Sequence, residues 1–289
     1  MMIPRRSLAA LTVFAAASLA LLSAHGQSGS SQGFVERDGA QLFYKSEGTG
    51  PAMVLIHGYP LGGELFKNNR FALAAAGYRV VTVDLRGFGR SSAPVTDPGS
   101  IPTYAQDVLA VMDKLEIKKA VIGGMSMGGM IAFELYRRVP ERFAALALMN
   151  TTANPAGNVE KAYWGAIAEK AQAKGSASLV PEVMKDMLTG ATQVKKPELV
   201  RFLSGLIETA SKRGAVAAAK ALADRPDSLP TLIVAGREDT LIPPVFSQKM
   251  QQGIKGSKLV VIEGASHAAV LEAPSAVNRA LLTWARNLR

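Results

Sequence analysis

Two hydrophobic rhythms alternate along the chain from about residue 33 onward. Short runs in which almost every position is apolar recur at 53–56, 80–83, 120–122, 146–149, 232–235 and 259–262. A run of that length with no polar side is what a strand buried on both faces shows, as in the middle of a parallel sheet. Between most of these runs the apolar residues take helical spacing. Thr103 and Gln106 stand as a capping box, and Tyr104, Val108, Val111, Met112 and Leu115 then fall on one face. Pro274 is placed to open a last helix, along which Val277, Leu281, Trp284 and Leu288 recur. Both stripes read as core-facing. Strands alternating with helices predict an α/β fold, a mostly parallel sheet covered on both faces.

Residues 152–228 interrupt this rhythm. They hold no apolar β run and predict helices at roughly 158–174, 181–189, 197–212 and 214–224, separated by Gly and Pro. No linker sets them off as an independent domain, so they read as a helical insertion between two sheet strands, with a core formed by 27–151 and 229–289. Residues 1–26 are of a third kind. Arg5 and Arg6 precede an apolar run at 8–22, small residues follow at Ala24 and Gly26, and a polar stretch comes next. That order is a secretory signal peptide. The run is shorter than the roughly 20 residues that span a bilayer, so cleavage is expected rather than anchoring, with no stable membrane insertion afterwards and a periplasmic or secreted address. The Arg5-Arg6 pair hints at twin-arginine export, although its flanks match poorly.

Composition narrows the chemistry. There is no cysteine among the 289 residues, which excludes a disulfide framework, a thiol nucleophile and a thiolate metal site. The formal charge is +10, and removal of residues 1–26 takes away two arginines and no acid, leaving +8. No dense basic run interleaved with aromatics accompanies it, so the charge reads as a basic surface and not as a nucleic-acid footprint.

The strongest chemical signal is 123–129, Gly-Gly-Met-Ser-Met-Gly-Gly, directly after the apolar run at 120–122. Gly-x-Ser-x-Gly between a strand and a helix is a nucleophile elbow, a strained turn that lifts the Ser126 hydroxyl out of the sheet. The segment lacks the Lys of a phosphate-binding loop, and its glycines are misplaced for a dinucleotide fingerprint. His57-Gly58-Tyr59-Pro60 follows the run at 53–56. At that sheet edge the Tyr59 N–H, together with the Met127 N–H, is positioned as an oxyanion hole. Of three histidines, His25 lies in or beside the leader and His57 in the oxyanion loop. His267, after the run at 259–262, remains as the base. Asp239, after the run at 232–235, is the acid that would orient it, with Glu238 the alternative. The order Ser, Asp, His is that of a known triad arrangement. Asn150, after 146–149, cannot supply a charge.

These residues together resemble the α/β-hydrolase superfamily, over nearly all of 33–289. The segment 84–92, Asp-Leu-Arg-Gly-Phe-Gly-Arg-Ser-Ser, is similar to that family's loop after its fourth strand and reads as a structural turn. Within the superfamily the likeness is to carboxylesterases and enol-lactonases with a small helical cap. The resemblance implies an α/β-hydrolase fold with an eight-stranded, mostly parallel sheet, a cap at 152–228, and Ser126, Asp239 and His267 as triad. It further implies acyl transfer on a small-molecule ester or lactone substrate, with no cofactor and no metal. Lactonase, C–C hydrolase or perhydrolase chemistry on the same triad is the second reading, and a non-catalytic small-molecule receptor the third. Tyr163, Trp164, Met184, Met187 and Phe202 of the insertion are expected mainly as its own core, less as pocket wall.

Overall fold

The computed structural model describes residues 29–224, 232–253 and 257–286. The expected leader at 1–26 lies outside them, as do Leu288 and the predicted end of the insertion at 228. Among the described residues no helix is long and apolar enough to cross a membrane.

Eight strands form one sheet in the order β1-β2-β4-β3-β5-β6-β7-β8. They are β1 (Ser31–Arg37), β2 (Ala40–Glu47), β3 (Ala52–Ile56), β4 (Arg79–Val83), β5 (Ala120–Met125), β6 (Phe143–Met149), β7 (Leu232–Gly236) and β8 (Lys258–Ile262). The last six pair in parallel with one another, and β2 joins β4 antiparallel. Five of them match the apolar runs to within one residue at the start, while β6 begins three residues earlier than its run and β5 ends three later. The first two strands were not legible as apolar runs, because β1 is an edge strand with exposed and half-exposed positions. They form an antiparallel hairpin closed by Asp38 and Gly39, with φ of 47° and 75°. Two central residues at positive φ make the turn whose twist matches the strands, and Asp-Gly suits it.

Helices flank the sheet: α1 (Lys67–Ala75), α2 (Ile101–Lys114), α3 (Met127–Arg138), and, past the insertion, α9 (Pro244–Gly253), α10 (Ala269–Glu272) and α11 (Pro274–Arg286). Pro274 opens α11 as expected, and Val277, Leu281 and Trp284 are buried. The capping box at 103–106 is not the start of α2. The helix begins at Ile101, and Ser100 accepts the Thr103 N–H at 3.2 Å. Gln106 is turned instead to the Arg37 guanidinium of β1. Ser100 is an equally good cap, and Pro102 suits the first turn that follows it.

The insertion between β6 and β7 is helical throughout its described part: α4 (Asn158–Lys174), α5 (Val180–Met187), α6 (Gly190–Lys195), α7 (Pro197–Glu208) and α8 (Lys212–Ala223). The short α6 and its Thr189 cap were not predicted from spacing.

The chain order of the strands fixes where a site can lie. After β3 the chain moves outward to β4, then returns across β3 to β5 and continues the other way. The loops after β3 and β5 therefore diverge at the carboxyl edge of the sheet and leave a crevice there, the position open α/β sheets use for ligands. Those loops carry Tyr59 and Ser126.

Candidate active site

Ser126 sits between β5 and α3 with φ 52° and ψ −121°, a left-handed conformation that costs a non-glycine residue on the order of 1–3 kcal/mol. Its surroundings hold it there. The Ser126 N–H donates to Met149 O at 2.9 Å, and its carbonyl accepts Thr151 Oγ1 at 2.7 Å and the Gly129 N–H at 2.9 Å. The elbow glycines are steric necessities. A Cβ on Gly124 would stand 2.2 Å from Gly128 O, and one on Gly128 only 2.1 Å from Ile56 O.

Asp239 and His267 follow the neighbouring strands β7 and β8 at the same edge. The His267 Nδ1 lies 2.9 Å from Asp239 Oδ2, and both side chains are fully buried. Asp239 Oδ2 also accepts Asn150 Nδ2 at 3.0 Å, and Oδ1 accepts the Ile242 N–H at 2.8 Å. Three donors thus converge on one buried carboxylate, which is how such a charge is accommodated away from water. Glu238 is exposed and turned away. The imidazole's other nitrogen, Nε2, is buried and has no hydrogen-bond partner among the described residues, Ser126 included, so its bonding capacity is unspent. Hydrogen bonds of unliganded catalytic sites are often long and tighten with substrate.

Asn150 is the residue that sequence reasoning undervalued. Its φ of 47° is one that Asn tolerates better than most, and its amide ties Asp239 to the end of β6. The signal was its place directly after a sheet strand.

Tyr59 and Met127 flank Ser126. Met127 is the first residue of α3, so its N–H has no partner within the helix. The Tyr59 loop approaches closely, since a Cβ on Gly58 would lie 3.0 Å from Ser126 Cβ. His57 locks that loop. Its Nε2 accepts the Leu85 N–H at 3.0 Å and its Nδ1 meets Gly58 O at 2.9 Å. Both nitrogens are engaged, and burial pulls its pKa below the ordinary value despite the Gly58 carbonyl and the Asp84 charge. Among the described residues no group of three or more His, Asp or Glu could hold a metal ion.

The helical insertion covers Ser126 and so forms a cap. A cavity with only about 10 Å³ for a water-sized occupant is enclosed by Ser126, Tyr59, Trp164, Ile167, Val183 and Met187, with Tyr163, Asp186 and Leu241 at its rim. Tyr163, Asp186 and Leu241 also border an outer chamber of about 570 Å³. Tyr163, Trp164 and Met187 are therefore pocket wall, while Met184 and Phe202 pack into the core as expected. Asp186 and Leu241 were not legible from the sequence, since only the folded cap brings α5 beside the loop after β7.

The chain belongs to the α/β-hydrolase superfamily. A family model described as alpha/beta hydrolase fold matches residues 51–174, and one described as TAP-like protein matches 210–288. An AB hydrolase superfamily protein of Bacillus subtilis is 30% identical over 249 residues, 82% of this chain and 92% of that protein. The 3-oxoadipate enol-lactonase 2 of Acinetobacter baylyi is 32% identical over 248 residues, 83% of this chain and 91% of the enzyme. Among solved structures, a thermophilic esterase from Thermogutta terrifontis superposes with TM-score 0.82 at 31% identity, covering 90% of this chain and 98% of the esterase.

Proposed function

We propose that the protein hydrolyses carboxylic esters of small or medium size through an acyl-enzyme on Ser126. The observation that carries this reading is the buried Asp239–His267 pair at 2.9 Å, set at the same sheet edge as the strained Ser126 elbow. A hydroxyl is a weak nucleophile until a base removes its proton. Ser126 Oγ attacks the ester carbonyl carbon while His267 Nε2 takes the Oγ proton. Asp239 holds the ring with Nδ1–H toward the carboxylate and offsets the imidazolium charge. The oxyanion that forms is met by the N–H groups of Tyr59 and Met127, and each such donor is worth ~10²–10³ in rate. Collapse breaks the bond to the alcohol oxygen, which leaves with the proton from His267. Water then attacks the acyl carbon, giving one proton to His267, and Ser126 recovers it as the acid departs.

The esterase and enol-lactonase relatives support acyl chemistry, and a lactone enters the same scheme with its leaving alcohol still tethered. The test is Ser126→Ala on short-chain p-nitrophenyl esters. A loss on the order of 10⁴–10⁶ in kcat with unchanged circular dichroism is expected. Activity within tenfold of the parent would remove Ser126 as nucleophile. Absence of steady turnover in the parent, with saturable binding, would make a receptor of it.

A further inference from the structure

The two cavities above Ser126 differ in what they offer a substrate. The inner one is apolar apart from Ser126, the rim carboxylate and the Tyr hydroxyls. The Tyr59 Oη is buried and has no hydrogen-bond partner among the described residues. The outer one is wide, and among the described residues that line it the charged ones are Glu160 and Asp186, with no lysine or arginine. Asp186 borders both cavities, so it stands at the passage between them. Its position is fixed from two sides: α5 carries it in the cap, and the Thr240 hydroxyl donates to its Oδ1 at 3.3 Å. Glu160 is held one turn from Trp164, whose Nε1 donates to it at 3.3 Å. Lys249 has its ammonium 5.9 Å from the centre of the Phe246 ring and does not itself line the chamber. The field of Asp186 reaches Tyr163 across the rim. Burial first, and then the charges of Asp186 and Glu182, push the Tyr163 hydroxyl pKa upward.

An acidic passage is unexpected in a chain with a formal charge of +10, whose surface at large should attract anions. A half-enclosed chamber with one sign of charge focuses its field on whatever enters it. The inner cavity is tight, so it suits the small acyl part. The alcohol part then lies in the outer chamber, from which it can leave.

We propose that Asp186 and Glu160 set the charge selectivity of the site, admitting esters whose alcohol part is neutral or cationic and rejecting those whose alcohol part is anionic. The proposal rests on the ester-hydrolase reading, deepens it to a substrate class, and makes Asp186 a specificity-determining residue.

The experiment uses three aryl acetates of similar size, carrying a meta carboxamide, carboxylate or trimethylammonium group, with each kcat/KM divided by the ester's hydroxide-catalysed rate. At low ionic strength the cationic ester should exceed the anionic one on the order of tenfold or more, a gap that added salt narrows as charges are screened. In Asp186→Asn the same ratio should fall severalfold, and Glu160→Gln supplies an independent variant should the first not fold. Turnover of the carboxamide ester with equal rates on the charged pair, or faster cleavage of the anion, would overturn the charge selectivity and leave the esterase standing. So would a ratio indifferent to both variants. No turnover of any of the three esters would remove the esterase reading and this inference with it.

Discussion

Two adjacent acids on one loop have opposite surroundings, and that contrast is the sharpest residue-scale test of the site. Asp239 is buried and accepts from His267, Asn150 and Ile242, whereas Glu238 is exposed and is engaged through its backbone, the N–H donating to Ala265 O at 2.9 Å and the carbonyl accepting Ser266 Oγ at 3.1 Å. Asp239→Asn would place an amide where three donors need an acceptor, turn the ring to the wrong tautomer and cost on the order of 10³–10⁴ in kcat. Glu238→Gln should leave kcat within about twofold, as an exposed carboxylate contributes about 0–1 kcal/mol. Rates of both variants on one ester at alkaline pH decide this, and an inactive Glu238→Gln would mean the acid is misassigned. That this loop would begin at the sheet edge was legible in the sequence, because it directly follows a strand; Asp239 was the favoured acid there and Glu238 the alternative. What the sequence could not contain was the third donor. Asn150 lies 89 positions from Asp239, and only the pairing of β6 with β7 brings their ends together.

At the scale of elements, the cap is fastened to the loop that carries His267. The buried Glu272 of α10 accepts the Thr189 N–H at 2.6 Å with one oxygen and the Ser266 N–H at 2.5 Å with the other. The Ser266 hydroxyl donates to Asp186 O at 2.9 Å and the Ala268 N–H to Met187 O at 2.8 Å, so α5 is bonded on both sides of His267. Glu272→Ala would strand two buried N–H groups, each bonded to a charged partner worth ~1.5–3 kcal/mol. For a chain of this size each kcal/mol moves Tm by about 2–4 °C, so the loss of about 3–6 kcal/mol predicts a fall of roughly 6–24 °C by calorimetry. A Tm within about a degree of the parent's would show that the cap is held by its apolar contacts alone. This fastening was invisible in the sequence, where Glu272 is one acid in a polar stretch. Elements were readable wherever burial made them uniform, as in β3, β4 and β7, and β8 was readable from its apolar run although only its last residue is buried. The α2 boundary was misplaced because Thr103 and Ser100 both qualify as caps, and only the extended backbone at Ser100 selects it. The β1-β2 hairpin carried its Asp-Gly signal, yet its strands alternate with exposure and escape a search for apolar runs.

At the scale of the whole molecule, one buried histidine ties stability to pH. His57 is completely buried, and both ring nitrogens bond to the loops after β3 and β4. Protonation would force Nε2 to donate where it now accepts the Leu85 N–H, so the fold selects the neutral ring. Its pKa is accordingly lowered from 6.5, with burial the largest cause. The sign of the linkage follows. Above about pH 6.5 the ring is neutral in both folded and unfolded chains and contributes no pH dependence. Below that, the unfolded chain takes up a proton that the folded one refuses, and stability falls by up to about 1.4 kcal/mol per pH unit until the folded pKa is reached. Other groups titrate too. Glu64 and Glu134, whose pKa values are lowered on balance by their lysine and arginine partners against the pull of burial, lose their contributions only at lower pH. Asp107, raised by burial against Arg86, acts in the opposite sense. A comparison with His57→Gln cancels these groups, because they are present in both proteins. The glutamine oxygen can still accept the Leu85 N–H, and it does not titrate. Urea unfolding of both proteins between about pH 7.5 and about pH 5 should give curves of ΔG against pH that run parallel above about 6.5 and diverge below it, the parent falling more steeply by about 1 kcal/mol per unit. Curves that stay parallel throughout would show that the loop after β3 accepts a charged imidazole, and that His57 is not held neutral by the fold.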